Sequence, residues 1–242
     1  IRRPPRSTRK ESSAASDVYK RQDLLRVVES STFPRNQNLN ALIFIYKYNN
    51  LFNLHVLEGD FNKSIKIIPK VLDGIEKNKN FIDHHHIMLL YYKIACMYFT
   101  VDDYENCIKY LSKIMKNKNI KMREDLQCFT RILNLIAHWE AGLDFNLDKI
   151  IKDTYNYLDK MNDLHEVQKT ILKYLKDLEN IYPGEIKGFL RNLHSELKKY
   201  EDDPYEKRAF LYLDIISWLE SKISNKPVQV IIKEKALLIN RK

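Results

Sequence analysis

Residues 91–114 read YYKIACMYFTVDDYENCIKYLSKI, and this stretch decides the fold. Apolar residues recur every three or four positions on both sides of the short polar segment 100–103, as they do along one face of an α-helix. The first face comprises Ile87, Leu90, Tyr91, Ile94, Ala95, Tyr98 and Phe99, and the second comprises Tyr104, Cys107, Ile108, Leu111, Ile114 and Met115. Two amphipathic helices joined by so short a link must run antiparallel.

Similar helix pairs follow one another along the chain. The same spacing predicts helices at 39–57 and 61–78, 82–100 and 103–117, 121–141 and 146–161, 163–180 and 184–200, 203–224 and 227–239. Three links resemble each other and place Gly59, Asp102 and Gly142 at intervals of 43 and 40 residues. A fixed period of helix pairs is the signature of a solenoid, in which each unit buries its apolar face against its neighbours.

Two places in the sequence predict specific features, one a helix start and the other a kink. In the sequence DPYE at 203–206, Asp203 predicts an N-cap, Pro204 the first helical position and Glu206 the partner of a capping box. Pro69 lies inside an apolar run and removes the donor that the carbonyl of Ile65 would use. We expect a kink at Pro69 rather than a break in the helix.

The order of residues in 91–114 resembles the tetratricopeptide repeat (TPR) family. Matches to the family's pattern are the large–small pair Ile94 and Ala95, the packing aromatic Tyr98, the turn residues Asp103 and Tyr104, and Cys107 with Leu111 in the second helix. Later stretches are similar to uncharacterised bacterial members of the group. The resemblance implies an all-α superhelix, a TPR-like solenoid of antiparallel helix pairs, over residues 39–242.

This sequence also departs from the family's pattern. Its repeat is longer than the usual 34 residues. Asn119 stands where a proline commonly ends the repeat, and Phe52 and Leu135 stand where small residues are expected. These departures bear on the regularity of the superhelix rather than on the stacking of helix pairs.

The composition excludes several classes of protein. The 242 residues are 44% hydrophobic and 30% charged, with 5 Gly and 3 Cys, which rules out collagenous, low-complexity and disulfide-stapled chains. No stretch approaches the roughly 18 apolar residues of a membrane-spanning helix. Cys96, Cys107 and Cys128 have no C-x-x-C spacing, so we expect reduced, buried thiols in a cytoplasmic protein.

Residues 1–22 read IRRPPRSTRKESSAASDVYKRQ and show no hydrophobic period. Segments 1–8 and 12–22 resemble translated sequencing adapter in a single frame, so we interpret 1–22 as adapter-derived, non-native and disordered. Residues 23–38 are then a truncated helix remnant followed by a loop. On this interpretation the native chain is longer, and a lost signal peptide is an open alternative to the cytoplasmic location.

The net charge changes with this interpretation. The chain carries +9, but residues 1–22 hold seven cations and two acids, a net charge of +5, which leaves +4 for residues 23–242. More than half of the apparent basicity therefore lies in the segment that we interpret as non-native. Net charge no longer favours a nucleic-acid partner.

The histidines offer the most visible candidates for chemistry. On a helix the run HHH at 84–86 points in directions about 100° apart, so it predicts a polar helix start with Asp83 near the cap rather than a metal site. His55 and His138 align with Tyr98 and are predicted to be packing residues. Without phosphate-loop, zinc-protease or nucleophile motifs, we expect no catalytic residues, no cofactor, no bound metal and no enzymatic activity.

A stack of helix pairs can present a concave surface to a peptide. In the TPR family the first helix of each pair lines that surface. By matching positions, the resemblance implies Asn49 and Asn53 in the first repeat, Tyr92 and Cys96 with Lys93 nearby in the second, and Ile132 and Ile136 bordered by Arg131 in the third. Asn49 and Asn53 lie one turn apart, as an amide pair able to bond a peptide backbone would. The alternative is that these side chains pack against the next helix pair.

The sequence thus predicts a non-enzymatic scaffold that binds a peptide or protein partner on a concave helical surface, with neither nucleic acid nor membrane as partner. The alternative is a regulatory or sensor repeat domain of a larger protein, whose missing N-terminal part carries a DNA-binding or catalytic domain. Partner identity and oligomeric state do not follow from these residues.

Overall fold

The computed structural model describes residues 20–28, 30–31, 36–117, 124–161, 164–178, 181–206, 210 and 214–240. Residues 20–28 are helical. The helices that follow are α1 Gln37–Glu58, α2 Phe61–Asn78, α3 His84–Thr100, α4 Tyr104–Met115, α5 Glu124–Glu140, α6 Leu147–Asp159, α7 Glu166–Leu178, α8 Ile186–Lys198, α9 Ile215–Ser224 and α10 Val228–Asn240, with a 3₁₀ turn at Asp144–Asn146. No strand occurs in the described ranges, so the fold is all-α, as predicted.

Most predicted helices agree with the structure to within a few residues, and α2 runs through Pro69 without a break. The exception is the predicted helix 203–224, because α9 begins only at Ile215 and the described residues 201–206 form turns. Asp203 does accept hydrogen bonds from the backbone N–H groups of Tyr205 (2.8 Å) and Glu206 (3.1 Å).

The predicted capping box at 203–206 is wrong. The Glu206 carboxylate accepts a hydrogen bond from the backbone N–H of Val167 at 3.1 Å, so it satisfies a donor in the first turn of α7 instead of its own segment. The backbone N–H of Asp203, which a capping box would assign to Glu206, is donated to the carbonyl of Tyr200 at 3.1 Å. A contact between residues 39 positions apart has replaced the local one.

The predicted junction between residues 22 and 23 lies inside the helical segment 20–28. Leu25 of this segment is buried, and Arg21 donates a hydrogen bond to Oδ1 of Asn50 at 2.8 Å. The part of the adapter interpretation that concerns residues 1–19 lies outside the described residues, as do residues 29 and 32–35 of the predicted remnant and loop at 23–38.

Four helix ends share one backbone motif. Gly59, Asp102, Gly142 and Asn225 all have left-handed backbone conformations, with φ between 54° and 67°. At each end the N–H of the next residue bonds to the carbonyl five positions earlier, as from Asp60 to His55 at 2.9 Å, which satisfies a carbonyl that the helix leaves unpaired. The intervals are 43, 40 and 83 residues. The first three are the positions that the sequence aligned, and the last interval is about twice the period.

The structure divides the predicted repeat domain into two compact units. The first unit comprises the described residues up to Lys93 and from Gln229 onward. Within it, α10 returns to the link between α1 and α2. A Cβ atom on Gly59 would lie only 2.9 Å from Cα of Lys233, and Ile231, Ile232 and Ala236 of α10 are buried.

The second unit comprises residues 94–228. Consecutive helices from α5 to α8 pack on one another, and α9 packs on α8. In addition, Trp218 of α9 lies against Trp139 of α5, with ring centroids 5.7 Å apart. Glu140 accepts hydrogen bonds from Trp218 Nε1 (2.7 Å) and Lys222 Nζ (2.6 Å). A single row of helix pairs does not predict this contact between α5 and α9, which joins residues about 80 positions apart.

Candidate interaction surface

One face of α1 carries both predicted asparagines. Leu42, Tyr46, Asn49 and Asn53 are spaced i, i+4, i+7 and i+11, so they lie along a single stripe of the helix. Leu42 is 47% exposed and Tyr46 is 58% exposed, whereas both asparagines are partly buried. We call this set the α1 stripe.

Asn53 and Lys93, which the sequence assigned to two different repeats, contact each other. The ammonium group of Lys93 on α3 donates a hydrogen bond to Oδ1 of Asn53 on α1. These two residues come from the first helices of the first and second predicted repeats and are 40 positions apart. The contact shows that α1 and α3 are neighbours within the first unit.

Two other candidates do not present the polar groups that the sequence predicted. Oδ1 of Asn49 is buried, with no hydrogen-bond partner among the described residues, so this oxygen is out of reach of a peptide backbone. Tyr92 is only 2% exposed and belongs to the core rather than to a surface. Since Oδ1 of Asn53 already accepts from Lys93, the predicted amide pair is not available as a pair.

Arg131 of the second unit is held within its own helix pair. Its Nη1 donates to Oε1 of Gln127 at 2.6 Å, and its guanidinium lies 3.5 Å from the ring centroid of Tyr157 on α6, a cation–π contact. Burial lowers the pKa of Arg131, although the neighbouring Tyr157 opposes the shift. Arg131 therefore packs α5 against α6, the second helix of its own predicted pair, and not against the next pair.

The remaining positions of the predicted surface are also largely enclosed. Ile132 and Ile136 are buried, and Cys96 is partly buried. For Tyr92, Ile132 and Ile136 the structure therefore favours packing over a role at an exposed surface. The physical reason is that other helices cover the faces that carry them.

His86 and Asp83 form the predicted polar helix start. The carboxylate of Asp83 accepts from the backbone N–H of His86 (3.0 Å) and from its Nδ1 (2.6 Å). Partial burial acts to raise the pKa of Asp83, but these hydrogen bonds outweigh it and lower the pKa below its ordinary value. The described residues contain no cluster of three or more histidine, cysteine or acidic side chains that could hold a metal ion.

His55 is a packing residue, as predicted. It is buried, and its Nδ1 lies 2.9 Å from the hydroxyl of Ser64 on α2. Burial lowers its pKa, with a smaller opposing contribution from the carboxylate of Glu58. His138 is partly buried, and its Nδ1 donates to the carbonyl of Asn134 at 2.7 Å.

None of the three cysteines, all of which the structure describes, forms a disulfide, and Cys107 and Cys128 are buried, as expected. Burial raises the pKa of the Cys128 thiol to about 12 and that of Cys107 well above its ordinary value. Both are therefore protonated at neutral pH and are poor nucleophiles.

Leu42 and Tyr46 are surface residues that the sequence reasoning missed. The available signal was their spacing with Asn49 and Asn53 along one stripe of the helix. Apolar residues at helical spacing predict burial by default, so their exposure required the structure.

No family model matches the chain, and neither do any curated proteins or solved structures. The all-α fold is thus established by this chain's own helices. Among the described residues, no helix combines the length and the apolar character needed to cross a membrane.

Proposed function

We propose that this chain is a TPR-like helical-repeat scaffold, and that it binds a peptide or protein partner on the α1 stripe together with Lys93 of α3. The observation that carries the proposal is the hydrogen bond from Lys93 to Asn53. It places side by side two helices of the kind that line the binding surface in the family that the sequence resembles.

The recurring helix ends support the repeat register on which the proposal depends. Left-handed residues at Gly59, Asp102 and Gly142 end the first helix of three successive predicted pairs. Asn225 also ends the first helix of a predicted pair. It lies 83 residues after Gly142, which is about two periods. One link geometry repeated at a nearly constant interval is expected where one supersecondary unit recurs.

Leu42 and Tyr46 supply the kind of side chains that anchor a peptide. They lie one turn apart and are about half exposed, so a partner can bury further apolar area on them. Aromatic side chains commonly dominate the energy of such interfaces. Asn53 lies at the other end of the stripe, hydrogen-bonded to the charged Lys93 of α3, and an apolar end next to a charged one suits an amphipathic partner.

The test is selection of peptides against the full chain from a displayed random library, followed by affinity measurement on variants. Leu42→Glu with Tyr46→Glu is expected to weaken the selected peptides at least tenfold. The matched control is Leu237→Glu with Leu238→Glu, which changes two comparably exposed residues of α10 in the same unit; it is expected to alter affinity less than twofold. Equal losses in both double variants, or a loss only in the control, would overturn the assignment of this surface.

A further inference from the structure

A cavity of about 50 Å³ lies inside the second unit, between α5, α6, α7, α8 and α9. Buried aliphatic residues such as Ile132 and Leu193 line it. Trp139, Tyr174 and Phe189 also line it, and these three aromatic residues are partly exposed. The cavity therefore has an aliphatic interior and an aromatic side that reaches the protein surface.

The described residues that line the cavity offer it no hydrogen-bonding group. No polar atom of the described lining residues faces the space. The indole N–H of Trp218, which also lines the cavity, is donated to Glu140 Oε1 at 2.7 Å instead. A charged or hydrogen-bonding ligand would lose its contacts with water here without gaining a partner, which is unfavourable.

We infer that this cavity binds a small, uncharged hydrocarbon-like ligand of about four to six carbon atoms. A water-sized group occupies roughly 10–15 Å³ on this measure of volume, so the cavity holds about four such groups. Enclosed apolar cavities take up apolar molecules, and an engineered one of about 150 Å³ binds benzene. A six-membered ring is therefore the largest ligand that we expect here, with part of it lying against the partly exposed Trp139, Tyr174 and Phe189.

A partner's side chain fits the physical evidence less well than a free ligand does. An apolar side chain of a peptide would bring its backbone amides to the aromatic side of the cavity. The described lining residues offer those amides no polar partner there. The inferred site thus goes beyond the proposed peptide surface, which lies in the other unit.

The two tryptophans make the inference directly testable. The chain has two tryptophans, and both Trp139 and Trp218 line the cavity. In ¹H–¹⁵N spectra of the full chain, benzene is expected to shift both indole N–H signals with saturation. Pyrazine has the same ring shape but carries nitrogen acceptors on opposite sides, so that one always faces an apolar wall. It is expected to bind at least tenfold more weakly.

A matched pair of variants on α8 locates the site. Leu193 lines the cavity, whereas Leu197, one turn later, is fully buried and does not line it. Leu193→Ala enlarges the cavity and is expected to bind benzene at least fivefold more tightly, while Leu197→Ala is expected to change the affinity less than twofold.

Three results would overturn the inference: no saturable shift of either indole signal in the wild-type chain, equal affinities for benzene and pyrazine, or equal effects of the two variants. The comparison of benzene with pyrazine uses the unmodified chain, so it tests the preference for an apolar ligand even if a variant fails to fold. Saturable indole shifts caused by a library-selected peptide would assign the cavity to peptide side chains instead. The proposed surface on α1 has its own test, the double variant Leu42→Glu with Tyr46→Glu, so the two proposals can fail independently.

Discussion

Helices α1 and α5 hold the same place in the first and third predicted repeats but differ in their surroundings. The matched positions are Asn49 and Asn53 in α1 and Ile132 and Ile136 in α5. The α1 positions belong to a stripe with exposed apolar neighbours, while the isoleucines line a cavity enclosed by four further helices. Positions that the sequence aligns as equivalent thus have different environments, because other parts of the chain decide what covers each face.

The largest expected effect on stability comes from replacing an isoleucine of α5 by the asparagine found at the matched position of α1. Ile132→Asn should lower the free energy of unfolding of the second unit by about 3–5 kcal/mol, because it removes buried apolar volume and places an amide where no partner exists. Tryptophan fluorescence during urea denaturation measures this, since both tryptophans lie in that unit. Ile132→Val, expected to cost about 0.5–1.5 kcal/mol, separates the polarity effect from lost volume. If the two variants are equally stable, position 132 is not enclosed.

The second prediction compares the helix ends Gly59 and Gly142, which have the same backbone conformation. Gly142→Ala should cost about 1–2 kcal/mol, the ordinary penalty of a left-handed alanine. Gly59→Ala should cost at least about 1 kcal/mol more, because its Cβ would also meet the backbone of Lys233 at 2.9 Å. Circular dichroism during denaturation measures both losses. Equal losses would show that α10 does not lie against the first link.

The third prediction concerns pH and His55, which the sequence aligns with His138 of the third predicted repeat. Burial lowers the pKa of His55 from its ordinary 6.5. Well above pH 6.5 the ring is neutral in both states and contributes no pH dependence. Below pH 6.5 the unfolded chain binds the proton more readily, so stability should fall, by at most about 1.4 kcal/mol per pH unit. Denaturation between pH 7.5 and 5 measures this slope. His55→Gln should reduce the slope, and an unchanged slope would contradict the assignment.

The smallest effect is expected at Asn225, the left-handed residue that ends α9. Asn225→Gly should raise the stability of the chain by less than about 1 kcal/mol, because glycine adopts this conformation without steric cost. Asn225→Ala should lower it by about 1 kcal/mol. Thermal denaturation compares the two variants. A stabilising alanine would mean that this end does not share the backbone motif of the other three.

Local periodicity predicted the helices and their ends well. The spacing of apolar residues reports which face of a helix is buried, because residues three and four positions apart are neighbours on its surface. The alignment of Gly59, Asp102 and Gly142 likewise identified positions that do share a left-handed conformation. For the candidate surface, the sequence named Asn53 and Lys93 as candidates without predicting their contact, and it missed the exposure of Leu42 and the burial of Tyr92.

The sequence by itself determined that this chain is a succession of antiparallel helices, and where most of them end. Only the tertiary structure decided that Glu206 caps α7, that α10 returns to Gly59 and that α9 meets α5. These contacts join residues from 39 to more than 170 positions apart. The spacing of apolar residues does not predict these contacts. It shows which face of a helix is buried, but not which part of the chain packs on that face.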